Sequence, residues 1–138
     1  MDINQMFNLD GKVAVVTGGN GGIGKGIAEG LAAAGASIVI AARNEQKSDS
    51  TVRELKALGA DAMSIPTDVT SQEGIDDLAT NTVSAYGKID ILVNNAGTNI
   101  RKRPEDYSLA EWDSLMNTNL RSAFMCSNAV YPHMKQSN

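Results

Sequence analysis

Short apolar runs alternate with longer amphipathic stretches along this chain. Residues 12–17, 37–41, 61–66 and 89–94 form runs rich in valine and isoleucine, which read as strands. Their nearly unbroken apolar character suits strands covered on both faces, as in a parallel sheet. Between them, apolar residues recur at helical spacing. Ile23, Ile27 and Leu31 share one face of the first intervening helix, and Ile75, Leu78, Ala79, Val83 and Tyr86 share one face of the third. On a later helix Leu109, Trp112 and Met116 share a face, which is expected in the core. Gly35, Gly59 and Gly87 stand where a left-handed residue would close a helix before the next strand. Capping-box patterns at Thr70…Glu73 and Ser108…Glu111 mark two helix starts.

The order of elements is therefore βαβαβαβ, followed by helical segments over residues 108–135. Right-handed crossovers between parallel strands turn this order into a doubly wound α/β sheet of Rossmann type, with strand order 3-2-1-4. No linker or low-complexity tract divides residues 1–138, so one domain is expected.

Composition narrows the function. A formal charge of −4 and an isoelectric point near 4.9 argue against nucleic acid as a partner, because phosphate backbones select basic faces. Cys126 is the single cysteine, so an internal disulfide is excluded and a reducing compartment is expected, with Cys126 packed as a small hydrophobe. No stretch approaches the ~20 continuous apolar residues of a membrane span. The N-terminal stretch "MDINQMFNLDGK" lacks a basic region followed by an apolar one, so no signal peptide is read there and a cytoplasmic location is expected. His133, the single histidine, has no Cys, Asp or second His at ligand spacing, so no metal site is expected.

The chemistry starts at residues 17–24, "TGGNGGIG", directly after "KVAVV". A glycine-rich turn between a strand and a helix offers free backbone N–H groups and the positive end of the helix dipole to an anion such as a pyrophosphate. A glycine loop alone decides little. Three further motifs stand at strand ends or on the following helix: "TDVT" with Asp68 and Val69, "NNAG" over residues 94–97, and "MNTNL" with Asn119. Together with the T-G-x-x-x-G-x-G spacing, they resemble the short-chain dehydrogenase/reductase family from Gly11 onward. The resemblance implies a pyrophosphate loop of Gly18, Gly22 and Gly24, lined by Asn20 and Ile23. It implies that Asp68 accepts a hydrogen bond from the adenine amino group beside the backbone of Val69. Asn94, Asn95, Ala96 and Gly97 would tie the sheet edge to the cofactor's ribose region. Asn119 matches the family's helix-kinking asparagine, which holds a water in the proton relay.

The second strand ends "VIAARNEQK", without the acidic residue that NAD-preferring relatives usually place there. Arg43 stands beside that site, and an arginine pairs bidentately with a 2′-phosphate. NADP is therefore the preferred cofactor and NAD the second candidate. The loop itself carries Asn20 rather than a basic residue, whereas some NADP-using relatives add a second charge there. The family's chemistry uses a serine and a Tyr-x-x-x-Lys pair. Tyr131–Lys135 fits that spacing, but Pro132 follows the tyrosine and the stretch resembles a late segment of the helix carrying Asn119, so it is not assigned. The resemblance thus implies the N-terminal, cofactor-binding part of an oxidoreductase acting on a secondary alcohol or ketone, inactive by itself, of the sugar or sugar-acid branch or of the 3-oxoacyl reductase branch, which shares the same motifs. The rival is a non-catalytic dinucleotide-binding or regulatory module. Relatives commonly form homo-oligomers through the helix after "NNAG". The run 89–94 would lie at an open sheet edge, so the free monomer is expected to be unstable.

Overall fold

The computed structural model describes residues 3–136. Met1, Asp2, Ser137 and Asn138 lie outside the described residues, and with them the outermost ends of the expected domain and of the stretch read against a signal peptide. A short helix α1 (Ile3–Met6) precedes the sheet. Strands β1 (Val13–Thr17), β2 (Ser37–Ala42), β3 (Ala62–Pro66) and β4 (Ile91–Val93) pair in parallel in the order β3-β2-β1-β4, as the sequence predicts.

Alternation along β1 explains the layers. Val13 and Val15 pack with Val39, Leu78 and Val130 on one face, whereas Ala14 and Val16 pack with Ala28, Ile38 and Leu55 on the other. Helices α2 (Gly22–Ala33) and α3 (Glu45–Ala57) thus cover one face, and α4 (Gln72–Tyr86) the opposite one. Helix α5 (Leu109–Met116) runs through a π-type turn (Asn117–Arg121) into α6 (Ser122–Gln136), which joins α4 on that second face. Each fully buried Val, Ile or Leu contributes about 1.5–3 kcal/mol of transfer free energy. Cys126 is buried among Val69, Ile75 and Met125, and burial pushes its thiol up to about 11.

Gly35, Gly59 and Gly87 all have left-handed φ values, 103°, 90° and 79°, where the sequence places helix ends. The Ser108–Glu111 capping box is formed in full. Helix α4 starts one residue later than the Thr70…Glu73 pattern suggests: its cap is Ser71, which accepts the Gly74 N–H. Thr70 is committed elsewhere, donating its hydroxyl to Asp68 Oδ1 at 2.7 Å.

The α5 face expected in the core is not core, and the α2 face reaches it only in part, through Leu31. Leu109 and Trp112 are 82% and 54% exposed, and no residue of α5 is buried, because α5 runs on into the π turn without packing substantially on any strand. Ile23 is 80% exposed; the inward face of α2 is instead small, with Gly24 and Ala28 buried, which brings the helix close to the strands.

Candidate functional site

The carboxyl ends of all four strands open on one side of the sheet, and a cleft of about 840 Å³ lies across them. This size suits a small-molecule or cofactor site. It sits where the strand order reverses between β1 and β4, the position at which open α/β sheets hold ligands.

Thr17 at the end of β1 organises one wall. Its hydroxyl donates to the Val93 carbonyl at 3.2 Å and accepts the N–H groups of Asn95 (3.1 Å) and Ala96 (3.0 Å). Asn95 returns the tie, its Nδ2 donating to the carbonyls of Thr17 (3.0 Å) and Gly18 (3.2 Å). The loop is therefore clamped between β1 and β4. Gly18 and Gly22 take left-handed φ values of 63° and 53°, which side-chain-bearing residues rarely adopt. Gly24, inside α2, is under no such backbone demand; a Cβ there would collide with Asn95 Nδ2 and the Gly18 carbonyl. Some glycines thus serve the packing of the loop itself, in addition to the approach of a ligand expected from the sequence.

The opposite wall comes from the β2–α3 junction. Asn20 Nδ2 donates to the Asn44 carbonyl (3.3 Å) and to Ser48 Oγ (3.1 Å), tying the glycine loop to the first turn of α3. Asn44 caps that helix by accepting the Lys47 N–H. Arg43 is exposed on the rim of the cleft, with no acidic residue at the end of β2 to oppose it. At the end of β3, Asp68 accepts the N–H (2.9 Å) and hydroxyl (2.7 Å) of Thr70. Those bonds, with the Arg43 charge adding to them, hold its carboxyl below the ordinary value of 3.8. It is an anionic acceptor at neutral pH.

Of the residues singled out from sequence, Gly18, Asn20, Ile23, Gly24, Arg43, Asp68, Val69, Asn95, Ala96 and Gly97 all line the cleft. The exposure of Ile23 and the burial of Val69 place the former toward the opening and the latter toward the core. Gly22 opens α2 just behind the lining. Asn94 turns away, donating to Ser127 on α6 at 3.1 Å. Asn119 stands inside the π turn, where the Ser122 N–H reaches the Asn117 carbonyl. Its amide makes a two-way bond with the Thr98 backbone: Oδ1 accepts the N–H at 2.7 Å and Nδ2 donates to the carbonyl at 2.8 Å. It steadies the loop after "NNAG" from outside the cleft. Tyr131 is exposed on α6 and does not line the cleft either.

Sequence reasoning missed Thr17, Gly21, Asn44, Lys47 and Thr118 as site residues. Thr17 opens the T-G-x-x-x-G-x-G pattern, and Lys47 left a signal of its own, a cation in the first turn of a helix, where the dipole disfavours it. Among the described residues, no group of three or more His, Cys, Asp or Glu side chains converges on a metal position. No helix among them is long and apolar enough to cross a membrane.

Comparison with known proteins agrees with this geometry. Residues 12–138 match the short chain dehydrogenase family model. The 2-dehydro-3-deoxy-D-gluconate 5-dehydrogenase of Escherichia coli K12 is 42% identical over 92% of this chain and 49% of its own length. The Pseudomonas aeruginosa RhlG/NADP active-site complex superposes with a TM-score of 0.89 at 40% identity, covering 95% of this chain and 51% of that one. The L-sorbose reductase of Gluconobacter frateurii, solved with NADPH and L-sorbose, does so with a TM-score of 0.90 at 34% identity, covering 95% and 50%. The chain spans about half the length of the relatives it matches. It belongs to the short-chain dehydrogenase family, whose members here are oxidoreductases.

Proposed function

We propose that the cleft holds the adenosine and phosphate portion of NADP(H), with NAD as the weaker alternative. The protein served is an oxidoreductase that interconverts a secondary alcohol and a ketone, of sugar or sugar-acid type. The observation that carries this reading is the pairing of a glycine loop at the switch point with Arg43 on the rim, at a β2 end that carries no acidic residue of its own. Two of the structures it resembles contain NADP or NADPH, which supports the same preference.

Each wall has a task. The loop from Gly18 to Gly24 and the start of α2 present N–H groups and a positive dipole to the pyrophosphate. Asp68 accepts from the adenine amino group, and its lowered pKa keeps it anionic for that purpose. Asn95, Ala96 and Gly97 form the wall toward the ribose. Asn119 holds the Thr98 backbone and positions the chain entering the substrate side. When bound, the nicotinamide supplies or accepts the hydride. Turnover needs an acid–base pair on the cleft; Tyr131 and Lys135 lie on α6 away from it, so residues 1–138 alone bind cofactor without turning over substrate. This observation also sustains the second reading, a non-catalytic dinucleotide-binding module.

Leu109, Trp112, Leu120, Phe124 and Tyr131 expose apolar surface after β4, which supports a homo-oligomer joined there. A cytoplasmic location accords with the lone reduced cysteine.

The cofactor preference is tested with Arg43→Glu. The ratio of NADP to NAD affinity should fall by about ten- to a hundredfold, the value of a charge-assisted hydrogen bond lost. An unchanged ratio overturns the preference.

A further inference from the structure

We propose that Lys47, reaching from α3 across Gly21, supplies the second cation of the 2′-phosphate subsite. This inference rests on the cofactor reading above and names a specificity residue within it. A phosphate monoester carries about −1.5 to −2 charges at pH 7, more than one guanidinium balances. The glycine loop has no basic side chain, so any partner for Arg43 must come from elsewhere.

Lys47 fills that role by geometry. It lines the same cleft as Arg43, Asn44 and Gly21. A Cβ built on Gly21 would overlap the Lys47 Nζ and lie 2.8 Å from its Cε. The lysine therefore lies flat on the loop, its ammonium in the space a side chain at position 21 would take. That pose is fixed at the root. Asn20 bonds the Asn44 carbonyl and Ser48 Oγ, and Asn44 Oδ1 accepts the Lys47 N–H at 2.9 Å, so the first turn of α3 cannot slide along the loop. Neither Lys47 nor Arg43 forms an ion pair among the described residues, unlike Lys12, Lys25, Lys88 and Lys102. A cation at the positive end of a helix, without a carboxylate partner and held over an anion-binding loop, is arranged for an added anion.

Gly21 then has a reason distinct from backbone conformation. Its φ of 177° is extended, open to any residue. An alanine there would meet no backbone strain but would displace the flexible end of Lys47.

The test is calorimetric titration of the chain with adenosine 2′,5′-bisphosphate and with 5′-AMP, comparing wild type, Lys47→Met, Lys47→Arg, Gly21→Ala and the Lys47→Met/Gly21→Ala double variant, each checked for an unchanged melting curve. Lys47→Met should weaken the bisphosphate by roughly tenfold and leave 5′-AMP within about twofold, and Lys47→Arg should restore most of the loss. Gly21→Ala should weaken the bisphosphate selectively yet add nothing in the Lys47→Met background. Equal losses for both nucleotides would move Lys47 to the 5′-phosphate and overturn the proposal. So would additivity in the double variant, or a Lys47→Met variant that discriminates as wild type does. If folded wild type binds neither nucleotide, the cofactor reading itself falls and takes this inference with it.

Discussion

Thr17 shows how much of the site rests on one hydroxyl. It accepts two backbone N–H groups from a segment 78 and 79 residues away and donates to a third backbone group, so it joins β1 to the turn after β4. Thr17→Val keeps the shape and removes the hydroxyl, leaving those N–H groups without their partner. The expected cost is about 1–3 kcal/mol for each donor left unpaired, read as a lower urea midpoint. An unchanged midpoint would show that the clamp is replaceable. None of this was legible in the sequence, because the partners meet only through the parallel register of β1 and β4. Arg43 and Asp68 were legible, since the first directly follows β2 and the second comes two residues after the end of β3, strands whose apolar runs announce their ends. Ile23 was half legible: its motif placed it at the cleft, while the helix face it shares with Ile27 and Leu31 does not show that it is 80% exposed.

At the scale of elements, strands and helix ends read well because their signals are local. The apolar runs, the left-handed glycines and the Ser108 cap each depend on a few neighbours in sequence. Helix α5 misled for the opposite reason: an apolar stripe shows that a face wants cover without saying which surface provides it. The base of the β1–β4 pair depends on Asp90, which accepts the Val13 N–H at 2.8 Å and pairs with Lys88 and Lys12. Burial alone would raise its pKa, but the Val13 bond and the two lysines outweigh that and bring it below 3.8. As pH falls, the unfolded chain therefore takes up this proton first. The contribution is full above about pH 4 and disappears as pH drops through the lower folded value. Asp90→Asn should flatten this acid loss in pH-dependent unfolding while retaining an acceptor for Val13. An acid limb identical to wild type would place the titration elsewhere.

The whole molecule is a four-stranded sheet whose strand ends, loop and first helix turns converge on one cleft, with its cations on one rim and Asp68 near them. The topology was legible because crossover rules leave few choices for a βαβαβαβ order. The pairing of loop and α3 was not, since it is made by Asn20 and Lys47 side chains meeting across the fold. The central claim, that this cleft holds the adenosine end of a phosphorylated dinucleotide, is tested most directly by a ¹H–¹⁵N correlation titration of the chain with NADP⁺. Saturable shifts should concentrate at residues 18–24, 43–47, 68–70 and 95–97, and adenosine 2′,5′-bisphosphate should reproduce those around Arg43. A well-dispersed spectrum that does not change, or that changes only away from these segments, would contradict the account.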